Sequence, residues 1–208
     1  MLSKTLVSFG LMLAGAAMTG ALPLDERASS STFKLYAYGM QKELGGLPMY
    51  YADGLAYAGE KLSTASVISD ITLAASANDA KSWVIQSAAS NSTGADIVGQ
   101  ALYISPSQNA AVGFVSGTPD SGKTTTGFTS YGSLTFWTDP SSGDWKSSFY
   151  AVPVSGQDGI WAINWLADSK SAPDNAIPIG LKRTAPGRSS GAASLASASA
   201  WKRAMSYM

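Results

Sequence analysis

Between Thr32 and Thr184 the apolar residues fall into short runs, separated by clusters of Gly, Ser, Asp, Asn and Pro. FKLYAY (33–38) sets Phe33, Leu35 and Ala37 against Lys34, Tyr36 and Tyr38, the two-residue period of a strand with unlike faces. In MYYADGLAYAG (49–59), Asp53-Gly54 separates two apolar-aromatic arms. Both residues tolerate positive φ, so the stretch predicts a tight hairpin. ASVISDITLAA (65–75) mixes β-branched residues with alanines and is ambiguous by pattern, whereas SWVIQ (82–86) reads as a short strand. ALYI (101–104) and AVGFV (111–115) flank a Ser-Pro-Ser-Gln-Asn turn and predict another hairpin. TGFTSYGSLTFWT (126–138) fits one long or two short strands, with Gly127 and Gly132 as bulge positions. WKSSFYAVPV (145–154) and GIWAINWL (159–166) predict strands joined by Ser-Gly-Gln-Asp-Gly, and AIPIGLKR (176–183) predicts the last one. No helix of ordinary length and no internal repeat interrupts this series. About ten strands at sandwich-like spacing predict an all-β domain, an antiparallel β-sandwich or flattened barrel. Its core is expected from both faces of 145–166 and one face of 33–38.

The two ends follow other patterns. MLSKTLVSFGLMLAGAAMTGA carries Lys4, an apolar run from Leu6 to Met18, and small residues at Thr19 and Ala21. That is the layout of a secretory signal peptide, with a run too short to span a bilayer. The expected division is therefore 1–21 signal peptide, 22–31 N-terminal arm, 32–184 β domain, and 185–208 a Ser/Ala-rich tail without a core of its own. The product is expected to be secreted, with no membrane span. Lys202-Arg203 interrupts what a glycolipid-anchor signal would need as a hydrophobic tail. Asn91-Ser92-Thr93 is an N-glycosylation sequon in a polar stretch.

Charge and composition narrow the chemistry. With 14 basic and 14 acidic residues the formal net charge is zero, so nucleic acid and anionic lipid are not expected partners. Cysteine and histidine are both missing from the sequence. That removes Ser-His-Asp and Cys-His catalysis, histidine zinc sites and thiol redox chemistry within one chain. No cofactor and no metal is expected. Glycoside hydrolysis needs two facing carboxylates, and beyond the signal the chain has only Glu26, Glu43 and Glu60 as glutamates. Glu43 and Glu60 border Gly-containing turns. Asp53, Asp139, Asp144, Asp158 and Asp174 adjoin Gly or Pro, where turn geometry accounts for them.

GTPDSGKT (117–124) matches the phosphate-loop pattern letter for letter. A phosphate loop must open a helix, yet Thr124-Thr125-Thr126-Gly127 follows, a poor helix and a good strand. Pro119-Asp120-Ser121-Gly122 reads instead as a turn, with Lys123 a surface charge and no nucleotide expected.

The aromatic residues remain. Trp137, Trp145, Trp161 and Trp165 are assigned to the core. Tyr36 and Tyr38 share a face with Lys34 and are expected half-exposed; with Tyr50 and Tyr57 they are the candidate ligand-binding residues, since exposed rings stack on sugars and other flat ligands.

FKLYAYG (33–39), GLPMYYADGLAYAG (46–59), TGFTSYG (126–132), SFYAVPVSGQDGIWAINW (148–165) and PIGLKRTAP (178–186) together resemble a family of uncharacterised small secreted proteins of filamentous fungi. Gln41-Lys42-Glu43 and the long C-terminal tail depart from its pattern. The resemblance implies a secreted fungal product and transfers no catalytic residues. The expected function is a secreted non-enzymatic β module that binds cell-wall polysaccharide or another extracellular ligand. A carboxylate-dependent glycoside hydrolase and a host-directed effector are the alternatives.

Overall fold

A computed structural model describes residues 31–90 and 97–187. The expected signal peptide and the arm to Ser30, the sequon at Asn91 and the tail from Arg188 lie outside the described residues. Within them the chain forms β1 (Tyr36–Gly39), β2 (Gly45–Ala52), β3 (Leu55–Gly59), β4 (Ile68–Ala75) and β5 (Trp83–Ser90). There follow β6 (Ala101–Tyr103), β7 (Ala110–Ala111), β8 (Gly113–Val115), β9 (Phe128–Tyr131) and β10 (Leu134–Thr138). The series ends with β11 (Trp145–Lys146), β12 (Phe149–Pro153), β13 (Ile160–Trp165) and β14 (Ile177–Lys182). Two 3-10 turns, Lys42–Leu44 and Ser169–Ser171, are the helical pieces among the described residues.

The strands close on themselves. In the order β1-β2-β4-β5-β6-β8-β3-β13-β12-β14, ten strands pair antiparallel, and β14 returns to β1 through Tyr36↔Lys182 to Gly39↔Ile179. Closure removes the free edges that an open sheet would leave. Of the two predicted architectures, the barrel is the one formed. β7 pairs with β13, while β9, β10 and β11 extend the sheet beyond β14.

The β2–β3 hairpin forms as its sequence dictates. Asp53 and Gly54 have φ of 45° and 87°, the left-handed pair a two-residue turn requires. The Asp53 carboxylate then accepts from the backbone N–H groups of Ser66 and Val67 at 2.9 and 2.8 Å, tying the turn to the chain entering β4. The pattern-ambiguous 65–75 stretch is β4. The 126–138 stretch resolves into two strands, β9 and β10, turning at Gly132 (φ 59°).

Two predicted strands are divided. AVGFV splits at buried Val112, because Ala111 pairs with Asn164 in β13 whereas Gly113 pairs with Leu55 in β3. WKSSFYAVPV splits at Ser147-Ser148: Trp145 pairs with Thr138 in the extension, and Phe149 pairs with Trp165 in the barrel. Two small polar residues let the chain cross from one to the other. Trp145, assigned from sequence to the core, is consequently 53% exposed.

The main core fills the barrel. Trp83 meets Phe33 edge-on at 5.0 Å and stacks on Phe128 at 5.4 Å, and Trp165 meets Phe149 and Trp137 edge-on at 5.1 and 5.9 Å. Leu35, immediately before β1, and Ala37 within it come from the expected face of the 33–38 stretch.

GTPDSGKT is a turn. Gly117 and Gly122 have positive φ, the Lys123 N–H donates to the Asp120 carbonyl at 3.1 Å, and Thr124 bridges to Ile104 in strand fashion. The Lys123 ammonium pairs with the exposed Asp120 carboxylate at 2.8 Å and lies 4.7 Å from the Tyr103 ring centre. No helix starts there to focus positive potential on a phosphate. Lys123→Ala is expected to change stability by at most about 0.5 kcal/mol, and calorimetric titration with ATP-Mg²⁺ to give no heat in either protein. Micromolar binding lost in the variant would reverse that reading.

Candidate functional site

One end of the barrel is built from chain that enters or leaves six strands. β1, β3 and β12 end there, at Gly39, Gly59 and Pro153; β2, β13 and β14 begin there. The ends stay close because two glycines permit it. Gly59 has φ of 97°, and a Cβ added to it would stand 2.1 Å from the Gly159 carbonyl oxygen. The Glu60 N–H donates to that same oxygen at 3.0 Å.

Trp161, near the start of β13, contributes to both cavities at this mouth. It pairs in register with Pro153 on one side and Ala58 on the other and packs against the main core. It is half-buried, and its indole N–H is withdrawn from solvent without a hydrogen-bond partner among the described residues. What it shows to solvent is therefore ring carbon. A cavity of about 490 Å³ lies on one side, where Met40, Gln41, Asp174, Asn175 and Ile177 contribute to the lining. A second, of about 290 Å³, lies on the other, where Glu43, Leu47, Pro48 and Glu60 contribute. An aromatic surface with a few polar groups around a concave barrel mouth is the usual makeup of a small-ligand site.

The loop that carries Glu60 is clamped from the outer face of the sheet. Tyr50 is fully buried there; its hydroxyl donates to the Glu60 carbonyl at 2.6 Å and accepts from the Leu62 N–H at 3.0 Å. Around it a small outer core gathers Ala52, Leu62 and Ile160, with Tyr57 stacked on Tyr50 at 5.9 Å. The Lys61 ammonium lies 4.1 Å from the centre of the Tyr50 ring and pairs with Asp70. Burial pushes the Tyr50 hydroxyl up to about 12, with the Leu62 N–H acting in the opposite direction. Burial also raises Tyr57, assisted by Asp53.

Tyr50→Phe strands the Leu62 N–H and the Glu60 carbonyl, and should cost about 2 kcal/mol in chemical denaturation. The alkaline limb follows by linkage. Tyr50 ionises near pH 10 in the unfolded chain and near 12 in the fold, so its contribution is intact below about pH 10 and is lost as pH rises toward 12. The phenylalanine variant should show a shallower loss across that window.

Of the four tyrosines predicted to bind ligand, none lines either cavity. Tyr50 and Tyr57 belong to the outer core. Tyr36 and Tyr38 are half-buried on β1, as their alternation with Leu35 and Ala37 predicts. The Tyr38 hydroxyl donates to the Thr184 carbonyl at 3.0 Å, and the Lys182 ammonium lies 4.6 Å from its ring centre. What the sequence reading missed is the convergence of Glu43, Glu60 and Trp161. Their only local signal is a glycine beside or close to each: Gly45, Gly59 and Gly159.

A second aromatic group sits on the extension. Trp145 lies 5.9 Å from Tyr131 and 5.7 Å from Phe136, with Tyr131 71% exposed. These rings are tilted by 52° and 36° to one another, so they do not form one flat platform. The mouth joins ring, cavity and polar groups, and is the stronger candidate. No family model matches the chain, and comparison with curated proteins and with solved structures gives no match either.

Proposed function

We propose that the protein is a secreted, non-enzymatic binding module that holds a cell-wall or other extracellular glycan across the barrel mouth, with a sugar ring stacked on Trp161. The observation that carries this reading is the half-buried indole with a cavity on either side. Sugars present apolar C–H faces edged by hydroxyls. Such a face stacks on ring carbon, while Gln41, Asn175, Glu43, Glu60 and Asp174 supply the hydrogen-bonding side chains around it. The extracellular setting rests on the apolar N-terminal run and on the resemblance to secreted fungal proteins.

One observation favours a second reading, a glycoside hydrolase: Glu43 and Glu60 line the same cavity beside Trp161. A carboxylate pair flanking a bound sugar is the equipment for that chemistry. A glycan array run alongside a hydrolysis screen separates the two. Retention of a glycan without release of reducing ends is the result expected of the module. Turnover abolished by Glu43→Gln or Glu60→Gln alone would establish the hydrolase instead.

A further inference from the structure

The charges at the mouth select among sugars. Three carboxylates, Glu43, Glu60 and Asp174, line the cavities on the two sides of Trp161, and neither cavity is lined by a lysine or arginine. None of the three is in an ion pair among the described residues, where the salt bridges are Lys61–Asp70, Lys123–Asp120 and Lys146–Asp139. The two lysines nearest in sequence do not neutralise them. Lys61 is taken up by Asp70 and the Tyr50 ring, and Lys42 is exposed on the 3-10 turn outside both linings.

Indole is the best of the aromatic faces for a cation, because its ring quadrupole presents negative charge above and below the plane. Here the indole and the carboxylates favour the same sign. An anionic sugar would meet uncompensated carboxylates on either side of the ring, a like-charge arrangement that rejects partners. A neutral sugar would stack without using the charge. A sugar bearing a primary ammonium would use both.

We propose that the mouth is selective for amino sugars with free ammonium groups, a de-N-acetylated hexosamine polymer over its N-acetylated or uronate counterparts. The proposal rests on the glycan-binding reading above and narrows it.

The test is calorimetric titration of the full secreted protein at pH 6 and low salt. The probes are a glucosamine tetramer, an N-acetylglucosamine tetramer, a galacturonate tetramer, and spermidine as a cation without a sugar ring. The glucosamine tetramer should bind about tenfold more tightly than the N-acetylated one, and the galacturonate tetramer should give no heat. Glu43→Gln with Glu60→Gln and Asp174→Asn should remove most of the preference for the amine, with thermal melts confirming that the variant is folded. Equal affinity for the two hexosamine tetramers would overturn the selectivity while leaving the glycan-binding reading intact. Spermidine binding as tightly as the glucosamine tetramer would overturn the assignment to sugars. No binding by any of the sugar probes would overturn the selectivity; the wider array, read independently, decides the glycan-binding reading.

Discussion

Gly59→Ala is expected to destabilise the protein by about 4 kcal/mol, combining the strain of a left-handed alanine with a forced backbone shift. The added methyl would stand 2.1 Å from the Gly159 carbonyl oxygen, and that oxygen is backbone, with no side-chain rotamer available to relieve it. Moving it breaks the Glu60 N–H bond at 3.0 Å and parts β3 from β13, where Gly59 pairs with Ile160. Gly132→Ala is the control. It too has positive φ, 59°, but a methyl there meets nothing within 4 Å, so only the conformational cost of about 1 kcal/mol remains. Urea denaturation of the two variants isolates the close approach. Equal losses would mean that the rim is not pinned at this contact.

The second large effect concerns binding. Trp161→Ala should weaken glycan binding at least about thirtyfold, the scale at which a central aromatic anchor is lost. Its stability cost should be well below that of Trp165→Ala, four residues along the same strand. Trp165 is fully buried between Phe149 and Trp137, and removing it should cost about 3–5 kcal/mol. Trp161 is half-buried, with cavity on both sides, so its loss leaves most of the core in place. A folded Trp161→Ala protein with undiminished glycan affinity would place binding elsewhere, with Tyr131 and Trp145 the next surface to test.

Local features of this fold were legible because they depend on neighbours in sequence. Asp53-Gly54 needs only two residues to turn a hairpin, and the alternation in 33–38 correctly sends Leu35 and Ala37 inward. Barrel closure is different in kind: Tyr36 meets Lys182, a pairing that no period within a strand encodes. Tyr50 misleads for a related reason. It reads as one of several aromatic residues in a hairpin arm, and only the folding back of residues 60–67 buries its outward face. Glu43 and Glu60 were recognisable as turn residues. Their meeting beside Trp161 requires the 3-10 turn before β2 and the ends of β3 and β13 to come together, which is tertiary information. Trp145 did carry a signal: Asp144 before it and Lys146-Ser147-Ser148 after it are polar company for a core residue, and the chain leaves the barrel there.

The most direct test of the account is a two-dimensional ¹H–¹⁵N spectrum of the indole N–H groups, recorded while an array-selected oligosaccharide is added. The protein has six tryptophans, so the indole region holds few resonances, and Trp161→Phe identifies the one that matters. The Trp161 resonance is expected to move through the titration while those of buried Trp83 and Trp165 and exposed Trp145 stay in place. Movement of Trp145 with a stationary Trp161 would contradict it.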